Sequence, residues 1–216
     1  DLPHLGGKRA ATWFPISWVI YSVYLSEKIG YWRYILMDRH LKANPGEAFA
    51  PLFDFFEPWC QDENRHGDCF TVMMRCWPGI TKGWRGKLLS RFFLWSVFLT
   101  HTLTVCERGE FYELLGIVPK EFDEEVIKRT NHTAKNAFPW VFNLEDNRFW
   151  DLRNNIIDAF RGFVSTKGIS KPVKFINFVS LIFQQFALPM EATNALRYDK
   201  DVNFTGGDIL NFWTDK

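Results

Sequence analysis

The sequence predicts an all-α fold, and three observations carry that reading. Turn and breaker residues divide the chain into long tracts with apolar side chains at helical spacing. Alternating strand-like runs are scarce, and no internal repeat or low-complexity stretch interrupts the pattern. Pro15 suits the first turn of a helix that runs through Glu27 to Leu41, until Asn44-Pro45-Gly46 stops it. A second tract covers residues 51–76 and ends before Pro78-Gly79. A third, rich in Phe and Leu, covers 86–115, with Gly116 as its C-terminal cap. Pro119 and Asp123 introduce a short helix closed by Pro139, and another tract follows at 145–163. Beyond Gly168 the pattern loosens into a Lys171-Pro172 turn, one apolar segment to Pro189, and a polar end containing Gly206-Gly207.

Composition narrows the function. The chain has 216 residues and 26 basic against 25 acidic side chains, a formal net charge of +1. That length suits one domain with a small second element. The balanced charge lacks the basic footprint of a nucleic-acid surface. Disorder is excluded by 22 Phe, 10 Trp and 6 Tyr, whose burial offsets the entropy of ordering the chain. Aromatics at this density point to a core of bulky rings, an apolar ligand, or a surface against a membrane or hydrophobic partner. Cys60, Cys69, Cys76 and Cys106 lack the paired spacing of a structural zinc site and read as buried thiols. The start, Asp1 to Arg9, has no signal-peptide character and no initiating Met, which reads as a processed or incomplete chain. Residues 10–26, 92–106 and 175–190 are nearly free of charge but too short and too polar to be read as spanning helices. They are expected to be buried helices, with interfacial contact open to the first and third.

One constellation carries chemistry. Glu63-Asn64-Arg65-His66 is a Glu-x-x-His inside a predicted helix, and residues three apart share a helix face. In di-iron carboxylate bundles each of two helices gives such a pair, and each of the other two gives a single Glu. Glu27, midway along the first helix, fits the single-Glu role, because an antiparallel hairpin sets it beside the second helix. Carboxylate and imidazole together suit iron or manganese. The competing reading makes Asp62, Glu63, Arg65, His66 and Asp68 a solvated charged face.

Two strings carry a family resemblance: YLSEKIGYWRYI at residues 24–35 and FFEPWCQDENRHGD at residues 55–68. With Arg91-Phe92-Phe93, Glu107-Arg108, Phe111-Tyr112 and Thr130-Asn131 in the same order, the chain resembles the aerobic magnesium-protoporphyrin IX monomethyl ester oxidative cyclases. The likeness covers roughly residues 10–155 and fades beyond. It implies a ferritin-like helical domain over residues 1–165, the second half of a di-iron four-helix bundle, with a divergent helical extension over 166–216. It also implies O₂-dependent di-iron chemistry forming the fifth ring of chlorophyll, a magnesium-porphyrin substrate, a redox partner, and peripheral contact with a chloroplast thylakoid or photosynthetic bacterial membrane. Glu27, Glu63 and His66 would coordinate iron, with Asp62 and Arg65 as candidate supports; no catalytic residue is assigned.

The chain also departs from the family. The family's other Glu helix and second Glu-x-x-His have no counterpart, so half of the ligand set is present. His4, His40, His101 and His132 do not restore it, since none has a Glu three residues before it. Pro58 stands where the family pattern has Asn and is expected to bend the helix before Glu63. Thr104-Val105 stands where it has Asn-Asp. Three functions therefore compete: a cyclase completed by a further segment or a partner chain, a non-catalytic cyclase-like subunit packed in a photosystem or antenna complex with chlorophyll contacts, and a porphyrin-binding module.

Overall fold

A computed structural model describes residues 14–194. The polar end predicted around Gly206-Gly207, Asp1 to Arg9 and His4 lie outside the described residues. The element order is α1 (Ile16–Ala43), α2 (Phe56–Cys76), α3 (Gly83–Glu107), α4 (Gly109–Leu114), α5 (Pro119–Ala134), β1 (Trp140–Phe142), α6 (Asn147–Ser165), α7 (Lys171–Phe186) and β2 (Met190–Ala192). The all-α class holds.

Most helix ends follow the sequence signals. Pro15 is the N-cap of α1, Pro119 opens α5, and Gly116 takes φ +67° just after α4, a conformation that favours glycine. Asp146 caps α6 by accepting a hydrogen bond from the Arg148 amide at 3.0 Å. Other ends differ. The tract predicted over 86–115 starts at Gly83 and is broken at Arg108 into α3 and α4. Residues 51–55 form a 3₁₀ turn, so α2 begins at Phe56. Pro58 therefore sits in the first turn of α2, where its missing N–H has no intrahelical acceptor to lose, and the expected bend has no cause there.

The carboxy-terminal region keeps the helix expected over 175–190 but starts it earlier. Residues 171–186 form a regular helix with Pro172 in its first turn, where proline is tolerated. Strands, expected to be scarce, are limited among the described residues to a minimal antiparallel pair, with Trp140 opposite Ala192 and Phe142 opposite Met190. Three-residue strands joined across some fifty residues leave no periodic signature in a sequence.

α1 and α2 form a long antiparallel hairpin, and α1 packs its other side on α3 and α5. Tyr21, Tyr24 and Leu25 are fully enclosed there with Leu94, Phe98, Phe138 and Val141. The polar tips are satisfied: Tyr21 donates to the Ile80 carbonyl at 3.2 Å, Tyr24 to the Thr133 carbonyl at 3.1 Å, and Trp32 Nε1 to Thr133 Oγ1 at 2.8 Å. α3 is long and apolar enough to cross a membrane, but its stripe of Gly86, Ser90, Phe93, Leu94, Phe98, His101, Thr102 and Val105 is buried in this core.

Two burial expectations are corrected. Only Cys60 is buried, and burial pushes its thiol up to about 12; Cys106 is half-buried, and Cys69 and Cys76 are exposed. The apolar stretch at 175–190 is not a buried helix, because α7 covers only one side of itself against α6 and leaves Phe175, Ile176 and Phe183 exposed. The sequence records that these side chains are apolar, not that among the described residues α7 is covered mainly by α6, with α3 reaching only its C-terminal end.

Candidate metal centre

The hairpin brings the three predicted ligands together. Glu27 lies midway along α1, and Glu63 and His66 lie one turn apart on α2. His66 Nδ1 is 3.2 Å from Glu27 Oε2. Glu63 adjoins the same carboxylate, and its own carboxyl is pushed up to about 7. Partial burial is the largest cause, followed by its hydrogen bond with Glu27 and the Glu27 charge, while His66 and Arg33 oppose the rise. Two acids therefore crowd one imidazole, an arrangement short of positive charge.

Small residues and a buried lysine paired with a half-buried aspartate set this register. A Cβ at Gly30, one turn beyond Glu27, would lie 3.4 Å from Glu63 Oε2, so glycine leaves that carboxylate its space. On the inner side, Lys28 is buried and reaches across to α2, with Nζ 2.6 Å from Asp68 and 2.8 Å from Asn64 Oδ1. Its stem lies over Gly67, where a Cβ would meet Lys28 Cε at 2.5 Å. Burial lowers the Lys28 ammonium from its ordinary range, and Asp68 opposes that shift. The Lys28–Asp68 bridge and the Gly67 groove were not singled out in the sequence. The sequence signal was there: a Lys beside Glu27 in one helix and a Gly-Asp after His66 in the other.

Asp62 and Arg65 pair with each other at 3.3 Å on the exposed side of α2 and do not reach the three ligands. The other described histidines are engaged elsewhere or exposed. His40 Nε2 lies 2.7 Å from Glu47 and 2.8 Å from the Leu115 carbonyl, His101 pairs with Asp123 at 2.5 Å, and His132 is exposed. Among the described residues, no group of three or more His, Cys, Asp or Glu side chains is already spaced to hold a metal ion.

The face around the three groups is unpartnered. Along α2 the positions Trp59, Glu63, His66, Phe70, Met73 and Trp77 follow one another at helical spacing, and Trp59, Met73 and Trp77 are exposed. Along α1 the matching face carries Val19, Val23, Glu27, Gly30 and Tyr34. Polar groups able to bind a cation thus sit in the middle of an apolar surface that nothing in the chain covers among the described residues.

The chain is 72% identical over 198 residues to a magnesium-protoporphyrin IX monomethyl ester (oxidative) cyclase of Prochlorococcus marinus strain MIT 9211, an alignment covering 92% of the chain and 57% of that protein. It belongs to this cyclase family. Identity is 48% over 172 residues to a cyclase of Thermosynechococcus vestitus (80% of the chain, 49% of the relative) and 54% over 150 residues to one of Synechocystis sp. (69% and 42%). A family model described as Rubrerythrin matches residues 4–74, the part that holds α1 and α2, which agrees with a ferritin-like, di-iron family. No solved structure matches the chain significantly. The Prochlorococcus alignment runs well beyond residues 10–155. The chain spans little more than half the length of the curated cyclases it matches. Identity at this level does not favour a shortened structural relative or a porphyrin-binding module.

Proposed function

We propose that this chain is the part of an oxidative cyclase that supplies Glu27, Glu63 and His66 to a di-iron centre acting on a magnesium-porphyrin monomethyl ester. The observation that carries this reading is the convergence of two carboxylates and an imidazole on an uncovered apolar face. The donor set fits the metal: oxygen and nitrogen ligands suit iron, and a cation would replace the proton that the crowded Glu63 carboxyl otherwise tends to hold. Bound iron would supply O₂ activation for oxidation of the porphyrin side chain, with electrons from a redox partner. The remaining ligands would come from a further segment of a longer polypeptide or from a partner chain whose apolar helices cover Trp59, Phe70 and Met73.

The chain's own residues position and shield. Lys28, Asp68 and Gly67 hold α1 against α2 so that Glu27 faces His66, and Gly30 leaves room for Glu63. Tyr34 and Trp59, with ring centroids 6.2 Å apart, and Phe56 beside them form an aromatic wall on the same hairpin, suited to excluding water and to a flat tetrapyrrole. In this reading residues 1–165 form the cyclase-like half-bundle and 166–216 an extension. The assembly works in peripheral contact with a photosynthetic membrane, of a chloroplast thylakoid or its bacterial equivalent.

Iron analysis of the complete assembly tests this. Wild-type protein should retain iron and convert magnesium-protoporphyrin monomethyl ester with O₂ and a reductase. Glu63→Gln and His66→Ala should each lose iron and turnover together. Full iron content in both variants would overturn the assignment of these ligands.

A further inference from the structure

We propose that α7, together with the amino-terminal half of α3, forms a docking surface for an anionic lipid bilayer. This rests on the reading above that the protein works in peripheral contact with a membrane, and it names the face and the lipid chemistry. α7 buries one side on α6, where Phe163 stacks on Phe178, and turns another side out. The outward side is a stripe at helical spacing: Val173 is 68% exposed, Ile176 67% and Phe183 65%, and Ile169, in the turn just before the helix, is 98% exposed. Single exposed apolar residues are ordinary, but three in one row on one helix, with a fourth in the turn that leads into it, are not.

Charge identifies the occupant. From residue 159 to residue 190 the chain has no Asp or Glu, yet it carries Arg161, Lys167, Lys171 and Lys174. The neighbouring stretch from 69 to 106 also has no acid and carries Arg75, Lys82, Arg85, Lys87 and Arg91. The two acid-free segments meet in the fold. Arg91 donates to the Phe186 carbonyl and, at 2.7 Å, to the Leu188 carbonyl, and Trp95 meets Phe186 edge-on at 5.2 Å. Ring contacts continue from Trp95 to Phe92, from Phe92 to Trp18 and from Trp18 to Phe14, with Phe14, Trp18 and Phe92 exposed. An apolar helix face, an aromatic belt and basic side chains without acids are the pattern of a helix lying in the headgroup region of a negatively charged bilayer. A second copy of this chain, with a net charge near zero, would gain nothing specific from the absence of carboxylates in these two segments, whereas an anionic surface is repelled by each one. The exposed apolar row beside the basic groups suits a bilayer, which offers hydrocarbon and negative headgroups together.

Flotation of the 216-residue chain with vesicles decides the matter. The chain should float with mixed phosphatidylcholine–phosphatidylglycerol vesicles, and at least about tenfold less with phosphatidylcholine alone. The variant Val173→Gln/Ile176→Gln/Phe183→Gln should stay at the bottom with unchanged helical circular dichroism, since these side chains support no core. Lys171→Glu/Lys174→Glu should lose the preference for anionic vesicles. If wild type floats and the triple variant floats equally, membrane contact stands and α7 is not its site. If wild type does not float on either vesicle, the membrane reading falls with the proposal. A wild-type dimer in sedimentation that the triple variant dissociates would assign the face to a second copy and overturn the proposal.

Discussion

Two of the carboxylate–imidazole pairs among the described residues, Asp123–His101 and Glu27–His66, have surroundings that give them opposite properties. Asp123 and His101 are enclosed between α5 and α3, with side chains 1% and 4% exposed and 2.5 Å apart. The second Asp123 oxygen accepts from Thr102 at 2.8 Å and from Arg153 Nε at 2.6 Å, and Arg153 is itself buried. Burial alone would raise that carboxyl, but His101 and Arg153 outweigh it and hold it below the usual carboxylate range. Glu27 and His66 form the same chemical pair with side chains 19% and 64% exposed, and their neighbour is a second acid where Asp123 has an arginine. The closed pair has its charges matched and acts as a lock between helices. The open pair has surplus negative charge facing a surface that the described residues leave uncovered, the condition that the proposed metal centre requires.

This contrast can be broken in order of expected effect. Asp123→Ala strands a buried arginine and should cost about 3–5 kcal/mol in urea denaturation, enough to unfold much of the chain. Its acid dependence has a defined sign. Because the folded carboxyl lies below its unfolded value, its stabilising contribution is complete above about pH 4 and disappears as pH falls through the folded value. Denaturation of Asp123→Asn across the acid range should therefore show a flatter profile than wild type.

Gly67→Ala is next. The new methyl meets the Lys28 stem, which must shift and loosen its hold on Asp68, and a loss of about 1–3 kcal/mol in thermal melts is expected. Glu63→Gln should have the reverse sign from the Asp123 variants. Removing one of two crowded acids should leave the metal-free chain unchanged or up to about 1 kcal/mol more stable by the same melts. A loss as large as that of Asp123→Ala would show that the open pair is another structural lock. Smallest is Asp62→Ala, which breaks only the exposed pair with Arg65 and should move stability by no more than about 0.5 kcal/mol.

Legibility in the sequence follows the same division. The open site was readable because its parts are local: Glu63 and His66 lie one helical turn apart, and Glu27 is an isolated acid in an aromatic helix. The closed network was not singled out. Its members come from α3, α5 and α6, and nothing in their spacing sets Arg153 beside Asp123. The same limit explains α7. The helix itself is expected, but its start lies at a Lys171-Pro172 turn signal that is equally a helix start, and its exposure depends on which elements pack nearby. Cys69 and Cys76 show the same effect, as apolar-looking positions on a hairpin face that the described residues do not cover.

The sequence by itself determined the all-α class, the main helix starts and stops, and the identity of the three candidate ligands. These depend on periodicity, turn chemistry and residues within one or two helical turns, which short-range sterics and hydrogen bonding dictate. Tertiary structure alone decided which carboxylate–imidazole pair is neutralised, which apolar stripe is left uncovered, and how Lys28 and Gly67 fix the hairpin register. Each of these depends on contacts between segments far apart in the chain, where burial and electrostatic pairing are set by the packing of whole helices.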